Sequence, residues 1–195
     1  MILIPAYNEA ESIQQVVTEA CRLRAEPVVV IDDCSTDNTA ALAKASGAMV
    51  LRLPLRMGAW GAIQTGLRFA HREGSAYAVT IDADGQHDPH GIAALLAPLA
   101  VGEADVVIGA CPSRVSPARR IAWRYFRWLS GIALQDITSG FRAYNREAIG
   151  RLSRPEATLL DYQDLGVLLI LRRHGLQIRE VEVAMQPRAN GKSHV

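Results

Sequence analysis

Short apolar runs alternate with longer amphipathic ones along the first 110 residues. The runs at about 1–5, 27–32, 48–53, 77–82 and 105–110 are rich in Val, Ile and Leu, as strands buried on both faces are. The stretches between them, at roughly 9–24, 37–46, 59–73 and 89–101, carry the helical period. Asp88 reads as the N-cap of the last helix. Pro89 then takes the first helical position, where its missing N–H costs nothing. Strand and helix in alternation predict an α/β fold, with a mainly parallel sheet, right-handed crossovers and helices on both faces. The rhythm changes after Gly109. A basic helix near 116–131, a loop through Thr138-Ser139-Gly140, a helix near 161–174 and a strand near 177–184 precede a polar tail. No repeat or linker interrupts the chain, so one domain is expected over 1–195, with functional halves 1–110 and 111–195.

Hydrophobic residues make up 49% of the chain, enough for a sizeable core and against disorder. A net charge of +1 excludes a general nucleic-acid binder. The charge is unevenly spread, because Val106 to Gln135 holds five arginines and no acid. Three scattered cysteines without CxxC spacing exclude a disulfide framework and a zinc site and fit a reducing compartment. No cleavage-like segment precedes the first strand, and no apolar run approaches the ~20 residues that span a bilayer. A cytoplasmic protein is expected, free or peripheral on the cytoplasmic membrane face.

Ligands of open parallel sheets sit beyond the C-terminal strand ends. Three polar clusters fall there: Pro5-Ala6-Tyr7-Asn8-Glu9, Asp32-Asp33-Cys34-Ser35 and Asp82-Ala83-Asp84-Gly85-Gln86. If the strand runs on through Asp84, Asp82 and Asp84 face the same way. Two such carboxylates repel unless a cation joins them. Oxygen ligands, with the Gln86 amide added, select Mg²⁺ or Mn²⁺. The plainer alternative is a pair of solvated loop acids. Asp33 offers acceptors to the N–H of a nucleobase imide, or else shapes a turn. Tyr7 offers a ring and Glu9 an acceptor near a ribose, or else a half-buried core residue and a helix-start acid. Gly58-Ala59-Trp60-Gly61 either brings N–H groups to a ligand or packs a helix closely on the sheet. Arg120, Arg124 and Arg127 form one helical stripe beside Ile121, Tyr125, Trp128 and Ile132. That face suits an anionic membrane surface, or is an ordinary charged outer face. Arg188, Lys192 and Ser193 surround a glycine in the tail, either to close over a diphosphate or as a frayed end.

The stretches IPAYNE at 4–9, DDCSTDNT at 32–39, DADGQHDP at 82–89, TSGFRAYNREAI at 138–149 and RANGKS at 188–193 together resemble family-2 glycosyltransferases of the GT-A fold. The chain is most similar there to the dolichol- or polyprenol-phosphate sugar transferases. The resemblance implies inverting transfer from a UDP- or GDP-sugar, with residues 1–110 binding the donor and 111–195 the acceptor. It places Pro5, Ala6, Tyr7, Glu9, Ile31, Asp33 and Asp82 around the nucleotide. Asp82, Asp84 and Gln86 fall around the metal and diphosphate. Arg114 and Arg119 fall near an acceptor phosphate, Asp136 is a catalytic-site acid, and Arg188, Lys192 and Ser193 form a phosphate loop. Cys34 stands where relatives usually have glycine, Arg56 where many have asparagine, and Trp123 where lipid-phosphate relatives often have serine. Many relatives continue past the position of Val195 into membrane-contacting helices. A membrane-protein partner, a longer chain and a soluble acceptor all remain open on that ground.

The expected chemistry is displacement at the anomeric carbon, with Arg188 or Lys192 and a cation stabilising the departing nucleoside diphosphate. A lipid phosphate needs no base, and Asp136 would orient it. A soluble or polysaccharide hydroxyl would need Asp136 as base. Two rivals stand beside this reading. A nucleotidyltransferase would need a glycine-rich loop after the first strand, where Pro5-Ala6-Tyr7-Asn8-Glu9 stands instead. A non-catalytic nucleotide-sugar-binding module would bind without turnover.

Overall fold

The structure is a computed structural model and describes residues 1–23, 26–111, 139–159 and 165–185. Its strands are β1 (Ile2–Ala6), β2 (Val28–Asp32), β3 (Met49–Arg52), β4 (Tyr77–Thr80), β5 (Val106–Ala110), β6 (Arg142–Asn145) and β7 (Ile178–Glu182). Its helices are α1 (Ile13–Arg22), α2 (Thr39–Ala45), α3 (Gly58–Arg72), α4 (Ile92–Ala100), α5 (Arg146–Leu152) and α6 (Leu165–Arg173). The strands form one sheet in the order β3-β2-β1-β4-β6-β5-β7. Only β6 runs antiparallel to its neighbours, β4 and β5.

Each strand serves two cores because its side chains alternate between faces. Leu3, Val29, Ile31, Val106 and Ile108 pack with Trp60, Ile63 and Leu67 of α3, Ile149 of α5 and Leu168 and Leu171 of α6. Their neighbours Ile2, Ile4, Val28, Val30 and Val107 pack with Ile13, Val16 and Val17 of α1, Ala43 of α2 and Leu95 and Leu99 of α4. Each Val, Leu or Ile among them, fully buried, stabilises the fold by roughly 1.5–3 kcal/mol. Gly66 seats α3 on the sheet: a Cβ there would stand 2.9 Å from Ile31 Cδ1 and 3.2 Å from Leu3 Cδ1. The same helix is tied to α5 and the turn after it. The buried Gln64 amide donates to the carbonyls of Leu152 and Arg154, and the Trp60 indole N–H to that of Ala157.

Three expectations from the sequence change. The helix expected from residue 9 begins at Ile13, because Asn8 is left-handed (φ 53) and residues 9–12 form a turn closed on the Glu9 carbonyl. Asp88 and Pro89 do cap an element as expected, but it is a short 3₁₀ turn, Pro89–Gly91, that leads into α4. Beyond the loop at 139–140, β6 and α5 were not anticipated. The basic helix near 116–131 and the tail from 186 lie outside the described residues.

Candidate active site

The parallel strands β1, β2 and β4 end at one sheet edge, and the antiparallel β6 begins there. Ala6 pairs with Asp32 and Leu3 with Thr80 on β1's two sides. The clusters at 5–9 and 32–35 are sewn together just beyond. The Asn8 N–H donates to Ser35 Oγ at 3.0 Å, and the Thr36 N–H to Asn8 Oδ1 at 2.9 Å. The Glu9 N–H donates to Thr39 Oγ1, while its carboxylate accepts from Ser12 Oγ at 3.0 Å. Asp37 completes the join by accepting from the Thr39 hydroxyl and N–H and from the Ala10 N–H. Burial alone would raise the Asp37 carboxyl, but those hydrogen bonds together hold it below the usual carboxylate value.

Asp33 is buried, and each of its oxygens already has a partner. Its oxygens accept from the N–H groups of Met57 at 2.6 Å and Gly58 at 2.8 Å, at the start of α3. Of the two uses weighed for the Gly58 turn, these N–H groups therefore serve a carboxylate of the protein itself. Gly58 is left-handed (φ 77). Gly61 meets Met57 so closely that a Cβ would stand 2.5 Å from Met57 Cβ. Each Asp33 oxygen keeps a second lone pair. Asp32 is fully buried; Oδ1 accepts from the Ser35 N–H, and Arg52 Nε lies 3.3 Å from Oδ2 without hydrogen-bond alignment. Cys34 follows the two acids at φ 63. Glycine adopts that conformation freely and other residues only at a cost. Ile31 is committed to the core under Gly66, with its main chain in the ladder between β1 and β3. Ala6 is buried, whereas Pro5 and Tyr7 are half-buried.

At the third cluster the premise of an extended strand is corrected. β4 stops at Thr80, and Ala83 and Asp84 lie in a turn, so strand alternation does not align the two acids. The turn is closed by the Gln86 N–H, which donates to Asp84 Oδ1 at 3.0 Å, and by the left-handed Gly85 (φ 77). Asp82 is held by contacts the sequence did not disclose. Its carboxylate lies against Gly140, where a Cβ would stand 2.4 Å from Oδ1. Its N–H donates to Nδ1 of the buried His87 at 3.1 Å. That ring stacks on Phe141, with centroids 5.1 Å apart. The 3.5 Å approach of His87 Nδ1 to Asp82 Oδ2 is not an ion pair, because a nitrogen that accepts the N–H has no proton to donate. The hydrogen-bond network thus assigns the ring proton to Nε2. Asp88 caps the following turn. The His90 N–H, and then its imidazole, outweigh burial to lower the Asp88 carboxyl.

No group of three or more His, Cys, Asp or Glu side chains forms a metal cage among the described residues. Two carboxylates and an amide on one turn nevertheless fit Mg²⁺ or Mn²⁺. These hard cations keep several waters and take one or two carboxylates together with phosphate oxygens of a substrate. Asp82, Asp84 and Gln86 are all half-buried and within reach of solvent.

A comparison with known families decides what this edge belongs to. The profile of Glycosyl transferase family 2 matches residues 1–153. The chain belongs to that family. This glycosyltransferase is 32% identical to an undecaprenyl-phosphate mannosyltransferase of Micrococcus luteus, over 99% of its own length and 86% of the relative's. It is 31% identical to a polyprenol monophosphomannose synthase of Mycolicibacterium smegmatis, over 78% of its length and 63% of the relative's. Its fold is GT-A: it superposes with a TM-score of 0.73 on a glucosyl-3-phosphoglycerate synthase of Mycobacterium tuberculosis, solved with Mn²⁺, UDP and glucosyl-3-phosphoglycerate. That likeness has 25% identity and covers 98% of this chain and 72% of the other. Arg114, Arg119, Asp136, Arg188, Lys192 and Ser193 lie outside the described residues. The described residues that flank them are at the same edge: Cys111 follows β5, Ser139 precedes β6, and Met185 bridges to His87. Gly140 and His87 join the site, as does Arg56, whose guanidinium carbon stands 4.0 Å from the Tyr7 ring centroid, without having been singled out as site residues. Gly140 and His87 stood inside quoted motifs, and Arg56 was marked only as a departure from relatives.

Proposed function

We propose that this glycosyltransferase moves a sugar, with inversion, from a nucleoside diphosphate sugar to a polyprenyl-type lipid phosphate. The observation that carries the proposal is the convergence of the β1, β2, β4 and β6 ends on one edge, with the Asp82 carboxylate set in a space that only glycine at 140 leaves open. The two relatives at 31–32% identity carry polyprenyl-phosphate names, which favours a lipid-phosphate acceptor.

Asp82 and Asp84, with Gln86, would hold Mg²⁺ or Mn²⁺, which supplies positive charge to a departing diphosphate. Tyr7, Glu9 and the free lone pairs of Asp33 face the nucleoside, with the main chain at Pro5, Ala6 and Ile31 beside them. Arg188, Lys192 and Ser193 are assigned to the diphosphate from the other side. Arg114 and Arg119 are assigned to the acceptor phosphate. An acceptor already anionic near neutral pH needs no proton removed, so Asp136 orients it. The 1–110 half binds the donor and the 111–195 half the acceptor. No described helix is long and apolar enough to cross a membrane.

Calorimetry with UDP and GDP, with and without Mn²⁺, tests the donor side. Asp84→Ala should lose the metal-dependent part of binding. Asp136→Asn should keep binding and lose turnover. Unchanged, metal-dependent affinity in Asp84→Ala would reject the assignment. The likeness to an enzyme whose product is glucosyl-3-phosphoglycerate supports one alternative, a small phosphorylated hydroxyl acceptor with Asp136 as base. Transfer to undecaprenyl phosphate against transfer to 3-phosphoglycerate separates the two.

A further inference from the structure

The first acid of the third cluster owes its place to a histidine. The Ile81 N–H still donates to β1, at the Leu3 carbonyl 3.1 Å away. Asp82 is the next residue, and its N–H leaves the sheet for Nδ1 of His87. That bond closes the loop 82–87 on itself. Asp84 and Gln86 lie inside the loop, where the Gln86 N–H on Asp84 Oδ1 makes a second closure. The three side chains assigned to a cation are thus carried by one loop whose ends meet at an imidazole.

The imidazole is itself held. His87 is buried, whereas the other described histidines, His71, His90 and His174, are exposed. Its ring stacks on Phe141, and Phe141 is wedged between two glycines. A Cβ at Gly91 would stand 3.0 Å from Phe141 Cε1, and one at Gly109 would stand 3.0 Å from Phe141 Cδ1. The Gly109 N–H also donates to the Phe141 carbonyl at 2.8 Å. Residues 140 and 141 therefore reach Asp82 twice, Gly140 against its carboxylate and Phe141 through the ring that holds its N–H. A phenylalanine at 87 could stack on Phe141 too, but it has no acceptor. The Asp82 N–H is the one hydrogen-bond partner of the His87 ring among the described residues.

We propose that His87 is a positioning residue for the cation of the donor: its unprotonated Nδ1 holds the Asp82 N–H and so fixes where the Asp82 carboxylate meets the metal. This rests on the reading of Asp82, Asp84 and Gln86 as cation ligands and adds the residue that orders them. The Asp82 side chain is 40% exposed, so the solvent side does little to restrain it. A ligand whose main chain is already fixed loses less freedom when it binds. Partners that stand behind metal ligands are accordingly worth about 10–100-fold in metal affinity or activity.

Three variants separate the two duties of the ring. His87→Phe keeps the stack and removes the acceptor. His87→Asn gives up the stack but carries an oxygen on Cγ, as far along the side chain as Nδ1. His87→Gln carries its amide one bond further out, level with Nε2. The assay is calorimetry of UDP or GDP, whichever the wild type binds more tightly, with and without Mn²⁺. His87→Phe should lose about 10–100-fold of the Mn²⁺-dependent affinity. His87→Asn should recover most of that loss, and His87→Gln should not. Metal-free nucleotide affinity should be the same in all four proteins. Packing alone would rank phenylalanine above asparagine; that order, or a full response to Mn²⁺ in His87→Phe, would overturn the proposal. Melting curves check that each variant is folded. Nitrogen-15 spectra of the metal-free wild type test the same claim without a variant. The His87 ring proton should sit on Nε2, and a proton on Nδ1 would overturn the proposal. A wild type that binds neither nucleotide, or binds them indifferently to Mn²⁺, would overturn the cation reading instead.

Discussion

Replacing Gly140 by alanine should disable the site and leave the fold nearly intact. A Cβ at residue 140 would stand 2.4 Å from Asp82 Oδ1 and 2.9 Å from both Oδ2 and Cγ. Carbon and oxygen rest at about 3.3 Å, so something must move by about 0.9 Å. Residue 140 cannot move easily. Its carbonyl accepts from the buried Thr80 hydroxyl at 2.7 Å, and Ser139 beside it accepts from Arg142 Nε and the Phe141 N–H. The Asp82 carboxylate is free to swing, being 40% exposed at the end of a short side chain. Gly140 is not left-handed, so alanine adds no backbone strain and removes some unfolded-state freedom. Stability should change by less than about 1 kcal/mol. A misplacement near 1 Å in a site of this kind costs about 100-fold in kcat/KM. The assay measures sugar transfer and Mn²⁺-dependent UDP binding beside the melting temperature. The double variant Asp82→Ala, Gly140→Ala should be no worse than Asp82→Ala alone, because the clash has lost its partner. Activity within twofold of wild type would refute the reasoning. So would a loss of activity that tracks unfolding, or an additive double variant.

Further expectations rest on other contacts. Trp60→Phe removes the indole N–H that donates to the buried Ala157 carbonyl at 2.7 Å. It should cost about 1–3 kcal/mol in a denaturant titration while donor affinity stays unchanged. Asp37 has a lowered folded pKa, so its hydrogen bonds contribute stability above the unfolded value of about 3.9. That contribution is lost as pH falls through the folded value. Stability measured against pH should therefore fall less steeply below about pH 4 in Asp37→Asn, and the two curves should converge in acid. Arg120, Arg124 and Arg127, expected from their spacing on one helix face, should give salt-sensitive sedimentation with anionic vesicles; equal binding to neutral vesicles would count against a charged membrane face.

The sheet was legible where hydrophobic alternation was clean. β2, β3 and β5 lie within the expected runs, β1 extends one residue past its own, and β7 lies within 177–184; the first four are mostly apolar runs, while β7 alternates apolar and charged residues. β6 was hidden by its own chemistry. Phe141, Ala143 and Tyr144 do alternate between the two cores, but a buried arginine at 142, 1% exposed, breaks the apolar signature. Its partner strands β4 and β5 adjoin it only through long-range pairing. α5 carried a readable start in Asn145, whose side chain accepts from the Ala148 N–H at 2.9 Å. A seven-residue helix is too short for periodicity to show it.

The site divides along the same line. Which residues gather at the edge follows from strand order, and strand order follows from local patterns; hence the three polar clusters were found. What each residue does there depends on contacts between segments far apart in sequence, which spacing cannot report. Asp33, read as a base acceptor or else a turn former, also holds the start of α3. Asp82 and Asp84, expected in extended geometry at the end of a strand, flank and enter a turn, and the first acid is confined by a glycine 58 residues away. The confinement is also the observation that argues for Asp82 as more than a loop acid. A solvated carboxylate with no task would not need the chain that faces it to lack a side chain, nor a buried imidazole to hold its N–H.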